Sequence, residues 1–188
     1  MPAITYQIDP AHSHAQFKVR HMMIANVRGE FSKMTGTVNY DPENPSASEV
    51  SATIDVTTIN TRELQRDEHL KSSDFFDVAR FPLMKFSSKD IAATGPASFE
   101  MNGNLTIRGV TRPVAMTVED LTAEAKDPWG NMRRGASAKA RFSRKSFGLE
   151  WNVALEAGGF LVGDDIEITI DVEMIRQTPP DAAADSKP

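Results

Sequence analysis

At 188 residues the chain is long enough for one domain with a sizeable core and too short for two comfortable ones. Hydrophobic residues make up 40% and charged residues 25%, an ordinary globular make-up. The net charge of -5 argues against a nucleic-acid partner, and the lack of cysteine excludes disulfides, thiolate metal sites and thiol nucleophiles.

The start, MPAITYQIDPAHS, has neither the basic residues nor the apolar run of an export signal. As written the chain reads as cytoplasmic, and as periplasmic if such a signal has been trimmed away. Ile4, Tyr6 and Ile8 alternate with polar residues as a first short strand. From Ser13 the period of two is clear: Ala15, Phe17, Val19 and His21 take one face, and His14, Gln16, Lys18 and Arg20 the other. Met22, Met23, Ile24 and Ala25 break the pattern and suggest one helical turn. Val27, Gly29 and Phe31 resume it, then Met34, Gly36, Val38 and Tyr40. The glycines suggest a bent or bulged strand. DPENPSAS is a turn-rich loop, and Val50, Ala52, Ile54 and Val56 mark the next strand.

Residues 61–86 stand apart. RELQRDEHLK has no helix breaker, and Asn60 or Thr61 can cap a helix over about 62–71. Met84, Phe86 and Ser88 return to strand, followed by Phe99, Met101, Gly103, Leu105 and Ile107. RGVTRP is a tight turn before Val114, Met116 and Val118; Leu121, Ala123 and Ala125 extend that strand after a bulge at Glu119 and Asp120. DPWGN is a hairpin turn, and Ala136, Ala138, Ala140 and Phe142 return from it. After the irregular SRKSFGLEWN, a last strand sets Ile166, Ile168, Ile170, Val172 and Met174 against acidic and polar neighbours. The tail from residue 178, rich in Pro, Ala and Asp, reads as disordered, leaving residues 1–177 as one domain.

Eight or nine long strands in hairpin order suit an all-β fold: an eight-stranded antiparallel barrel with a short helical insertion, the two-sheet sandwich being the competitor. The inward face is rich in small residues and methionine. Ala136, Ala138 and Ala140 lie in a row, with Gly29, Gly36 and Gly103 elsewhere, and such a face suits a cavity for a flexible apolar ligand. The six basic residues between Arg133 and Lys145 read as a solvated strand face.

Among titratable groups, His21 falls on the apolar face, as a donor to a ligand head group or as a core histidine; both readings stay open. His12 and His14 form an HxH pair, but nothing completes a metal site. His69 beside Asp67 lacks a nucleophile in a strained turn. Arg62 and Arg66 present a cationic patch.

YQIDPAHSHAQFKVRHM, VRGEF, TRELQRDEHLKSSDFFDVARFP, NLTIRGVTRPV, SFGLEWN and LVGDDIEITIDVE occur in an order that resembles the YceI-like family of polyisoprenoid-binding proteins. The resemblance implies an extended lipocalin-like barrel whose apolar tunnel holds an isoprenoid or similar lipid, and a homodimer that is not an enzyme, with no catalytic residues; the residues themselves nominate no metal site. Other than the bound isoprenoid lipid or quinone it implies no cofactor. Strand parity then nominates Phe17, Val19, Phe31, Val38, Ile54, Met84, Phe86, Met101, Leu105, Met116, Ala138 and Phe142 as tunnel lining. Phe75, Phe76 and Trp151 are nominated to close the ends, and His21 and Arg66 to meet the head group.

The expected function is to carry or store an isoprenoid quinone, polyprenyl phosphate or fatty amide. The rivals are an enzyme acting on the head group through His21 or His69, and a stress-related scaffold with a filled core. On this reading the helical insertion is a gate over the barrel, closed by Leu64, Leu70, Phe75 and Phe76.

Overall fold

The computed structural model describes residues 3–178. The expected disordered tail, Thr178 apart, lies outside the described residues. Thirteen elements follow one another: β1 (Ile4–Ile8), β2 (His14–His21), β3 (Ala25–Phe31), β4 (Met34–Tyr40), β5 (Glu49–Asp55), β6 (Ile59–Asn60), α1 (Leu64–Lys71), β7 (Leu83–Gly95), β8 (Ser98–Ile107), β9 (Val110–Glu119), β10 (Ala125–Lys126), β11 (Met132–Ser143) and β12 (Val162–Arg176).

All pairings are antiparallel, and the pairing of β11 with β12 closes the sheet. β1 and β2 lie along the same edge of β12: Ile8 faces Met174, and His14 faces Asp171. They act as one strand with a five-residue interruption at residues 9–13. β4 follows β3 in the same way, paired to β1 as β3 is to β2. β5 pairs with β4 and β6 with β3. The result is an eight-stranded up-and-down barrel closed on itself. The barrel expectation holds over the sandwich, and the long strands agree with it, since closure needs long, tilted strands.

Four local expectations are corrected. Met22, Met23 and Ile24 form a hairpin turn between β2 and β3, not a helical turn. Met22 and Met23 both adopt positive φ (49° and 61°), which short hairpin turns require. β9 ends at Glu119, where Asp120 turns the chain at φ 57°; only Ala125 and Lys126 regain strand pairing. α1 starts at Leu64 and is capped by Glu63, whose carboxylate accepts from the backbone N–H groups of Gln65 and Arg66, so neither Asn60 nor Thr61 is the cap. The inward glycines do not hollow out the interior. The Phe17 ring lies over Gly29, the Phe86 ring over Gly103, and Ile8 with the Ser51 carbonyl over Gly36, so each supplies a seat for a neighbour.

The basic stretch is also less solvated than its parity pattern suggests. Arg144 is buried, 4% exposed, and donates to the carbonyls of Gly163, Leu149 and Trp151 at 2.8, 2.6 and 2.9 Å, stitching the 144–161 segment to the barrel. Burial lowers its pKa, partly offset by Asp164.

Candidate ligand-binding site

The interior falls into a filled end and a hollow end. At the end carrying α1, Phe31 packs on Phe17 (ring centroids 5.5 Å) and edge-on to Phe76 (5.9 Å). Phe147, Leu149, Ile107 and Val114 are buried in the same cluster. Past the level of Met34, Ile54, Met84, Leu105, Phe142 and Ile168 this packing gives way to a cavity of about 160 Å³. The cavity runs to the opposite rim, where Tyr40, Ser48, Leu121 and Arg134 border it. Strand register places that rim: Ile4 faces Tyr40, Tyr6 faces Arg176, and Arg134 faces Met174. From Arg134 to Phe142 is eight residues of β11, about 26 Å along the strand and about 20 Å along the axis of a tilted barrel.

Nine nominated residues line this cavity: Val38, Ile54, Met84, Phe86, Met101, Leu105, Met116, Ala138 and Phe142. Five methionines, Met34, Met84, Met101, Met116 and Met174, share the wall and are at most 6% exposed. Their unbranched side chains change shape at low cost, so the wall can yield to an entering chain. Ala136 and Ala138 border the cavity, whereas Ala140 packs in the core beside it.

Eight nominated residues do not line it. Phe17, Phe31, Phe75 and Phe76 belong to the filled end. Val19 sits on β2 opposite Val27 and Ile166, on the flank of the barrel that β2 and β3 extend. His21 ends β2, opposite Val162 and Ala25, one position from the hairpin turn; inward parity there no longer points into the barrel. Trp151 packs edge-on to His69 (4.6 Å) and against Phe75 (5.4 Å), outside the cavity wall. Arg66 is spent locally, its guanidinium donating to the hydroxyl and carbonyl of Thr61 at 2.8 and 2.7 Å.

The helical insertion is therefore a floor and not a gate. Asp67, 8% exposed, accepts from the N–H and hydroxyl of Thr61, which ties α1 to the end of β6. Leu70 packs on the core, but Leu64 is 76% exposed and closes nothing. His69 hydrogen-bonds Asp74 at 2.8 Å and stands apart from the cavity, and Asp67 is engaged elsewhere.

The polar group at the mouth is one that parity offers and the sequence reading passed over. Arg134 precedes Ala136 by two residues and so shares its inward face. Its Nε–H donates to the Thr122 carbonyl at 2.8 Å, and its guanidinium lies 5.0 Å from the centre of the Tyr40 ring. Beside it, the Tyr6 hydroxyl donates to Glu124 at 2.6 Å, and Glu124 also accepts from Arg176. Burial and the bond to Glu124 push the Tyr6 phenol above its ordinary value, while Arg134 pulls it down.

Asp9, His12 and Glu173 bring three metal-ligating atoms within 4.8 Å of one another. The Arg133 guanidinium bonds both Asp9 and Glu173 and so occupies the place of a cation. His12 lies before β2 and pairs with Asp9, whereas His14 faces Asp171, so the two histidines do not share a strand face. Among the described residues no helix is long and apolar enough to cross a membrane.

A family model described as YceI-like domain matches residues 6–174. Protein YceI of Salmonella newport is 34% identical over 177 residues, spanning 93% of this chain and 88% of its own. The crystal structure of the Campylobacter jejuni YCEI protein is 28% identical with a TM-score of 0.67, covering 85% of this chain and 90% of that one. A polyisoprenoid binding domain from Saccharophagus degradans also has a TM-score of 0.67, over 92% of this chain and 98% of that one; at 14% identity the likeness is one of fold.

Proposed function

The chain belongs to the YceI-like family, and on that premise we propose that it binds a long-chain isoprenoid or similar amphiphile and serves its transport or storage. The observation that carries this reading is the cavity: a slot along the barrel axis, walled by apolar side chains and ending at a single arginine among tyrosines. Each CH₂ group moved from water into such a wall contributes about 0.8 kcal/mol, so the tail supplies affinity and the rim supplies orientation. The polyisoprenoid binding domain of similar fold supports an isoprenoid tail. Isoprenoid quinones, polyprenyl phosphates and fatty amides all offer oxygen acceptors to the Arg134 guanidinium.

The test is solvent extraction of the purified protein followed by mass spectrometry. A stoichiometric lipid is expected. Ala138 lies mid-cavity, between Val118 on β9 and Ile170 on β12, so Ala138→Trp should fill the slot. That variant should keep its circular dichroism spectrum and lose the lipid. A normal lipid content in a folded Ala138→Trp protein would sink the proposal.

A further inference from the structure

We infer that the hairpin joining β10 to β11 is a bilayer-docking element, with Trp129 as its interfacial anchor beside the mouth of the cavity. The inference rests on the lipid-binding reading above and adds the surface from which the lipid comes.

Trp129 is 82% exposed, the most exposed of the large hydrophobic side chains among the described residues. The hairpin that carries it is held by hydrogen bonds. The Asp127 carboxylate accepts from the backbone N–H groups of Trp129 (2.9 Å) and Asn131 (2.8 Å), from the Asn131 amide (2.9 Å) and from Arg133 Nε (2.7 Å). The backbone of Asp127 closes the turn with Asn131 and Gly130, and Gly130 supplies the positive φ of 95°. Arg133 then ties the hairpin to the barrel wall through Asp9 and Glu173. These bonds fix the hairpin backbone from which the exposed indole projects.

Its position gives the hairpin a use. Trp129 is five residues before Arg134, which borders the cavity at the rim away from α1. The filled end, with α1, lies at the other extreme of the barrel. An amphiphile leaving a bilayer for the slot must enter at the rim, and an indole seats at the boundary between headgroups and acyl chains. One such anchor gives weak, reversible contact, which suits a carrier that must leave the surface again. A second exposed apolar group, Met23, Ile24 and Phe160, sits at the far end and supplies the control.

The experiment uses the full chain with phosphatidylcholine vesicles, with and without phosphatidylglycerol. In a Trp151→Phe background, Trp129 emission should shift to the blue on adding vesicles and be quenched by brominated lipid. In the otherwise natural chain, Trp129→Ser should lose vesicle co-flotation and slow lipid transfer between protein and vesicle several-fold, with extracted lipid content unchanged. An unshifted Trp129 emission, or transfer at the natural rate in Trp129→Ser, overturns the docking role and leaves lipid binding standing. Co-flotation lost in Ile24→Ser but kept in Trp129→Ser places the contact at the filled end and also overturns it. Absence of any extractable lipid from the natural chain overturns the binding reading itself, and the docking role with it.

Discussion

Arg133 and Arg134 are neighbours in sequence and opposites in use. Arg134 faces the cavity, and Arg133 faces outward into three carboxylates, Asp9, Asp127 and Glu173. The Arg133 hydrogen bond, followed by that of His12, lowers Asp9 from 3.8 to about 2. Burial opposes ionisation of Asp127, but donors from Asn131, Arg133 and the backbone hold it well below the usual carboxylate range. Both folded-state values lie below the unfolded ones. The stabilisation is therefore complete above about pH 4 and is lost as pH falls through the folded values towards about 2 and below. Thermal denaturation followed by circular dichroism should show Tm dropping across that window. Arg133→Met should lower Tm at pH 7 and flatten the acid dependence, and an unchanged slope would mean that other carboxylates set it.

At the scale of elements, the insertion is fixed by a bond that sequence spacing does not reveal. TRELQRDE offers several capping acceptors in a row, and propensity alone cannot choose among them. Packing chooses: Asp67 turns inward to Thr61, leaving Glu63 to cap α1. Asp67→Ala would strand the buried Thr61 N–H and cost about 1–3 kcal/mol, measured by urea denaturation. Because α1 covers the filled end, lipid content should not change in that variant. Loss of lipid there would mean that the slot extends to the floor.

The whole barrel combines a solid half, which fixes the fold, with a hollow half, which is adaptable. A cavity of about 160 Å³ is close to the size that admits a benzene-sized molecule. On the proposed reading, a long tail would have to displace methionine side chains, since the cavity is too small to hold it as it stands. Binding of this kind couples to stability: a ligand at a hundredfold excess over its Kd adds about 2.7 kcal/mol to the folded state. Protein stripped by solvent extraction and refolded should melt at a lower temperature than the protein as purified. It should recover when an isoprenoid quinone or fatty amide is added back, and equal melting points in the two states would count against an occupied slot.

The sequence by itself determined most of the strands and their faces, because a period of two survives wherever one face of a strand is buried; closure into a barrel over a sandwich was settled by the pairing of β11 with β12. Nine of the residues that parity nominates, on β4, β5, β7, β8, β9 and β11, border the cavity. Parity marks which face of a strand is inward but not the height along the barrel. Phe17, Phe31 and Val38 look equivalent in sequence, yet the first two pack in the filled end and the third borders the cavity. His21 lies away from the cavity for the same reason, since its level is set by pairing with β12 far along the chain, while Arg66 on α1 is engaged by Thr61. Only the tertiary structure decided which end is hollow, because that follows from where α1 and the 144–161 segment pack, and packing against distant elements leaves no local period to read.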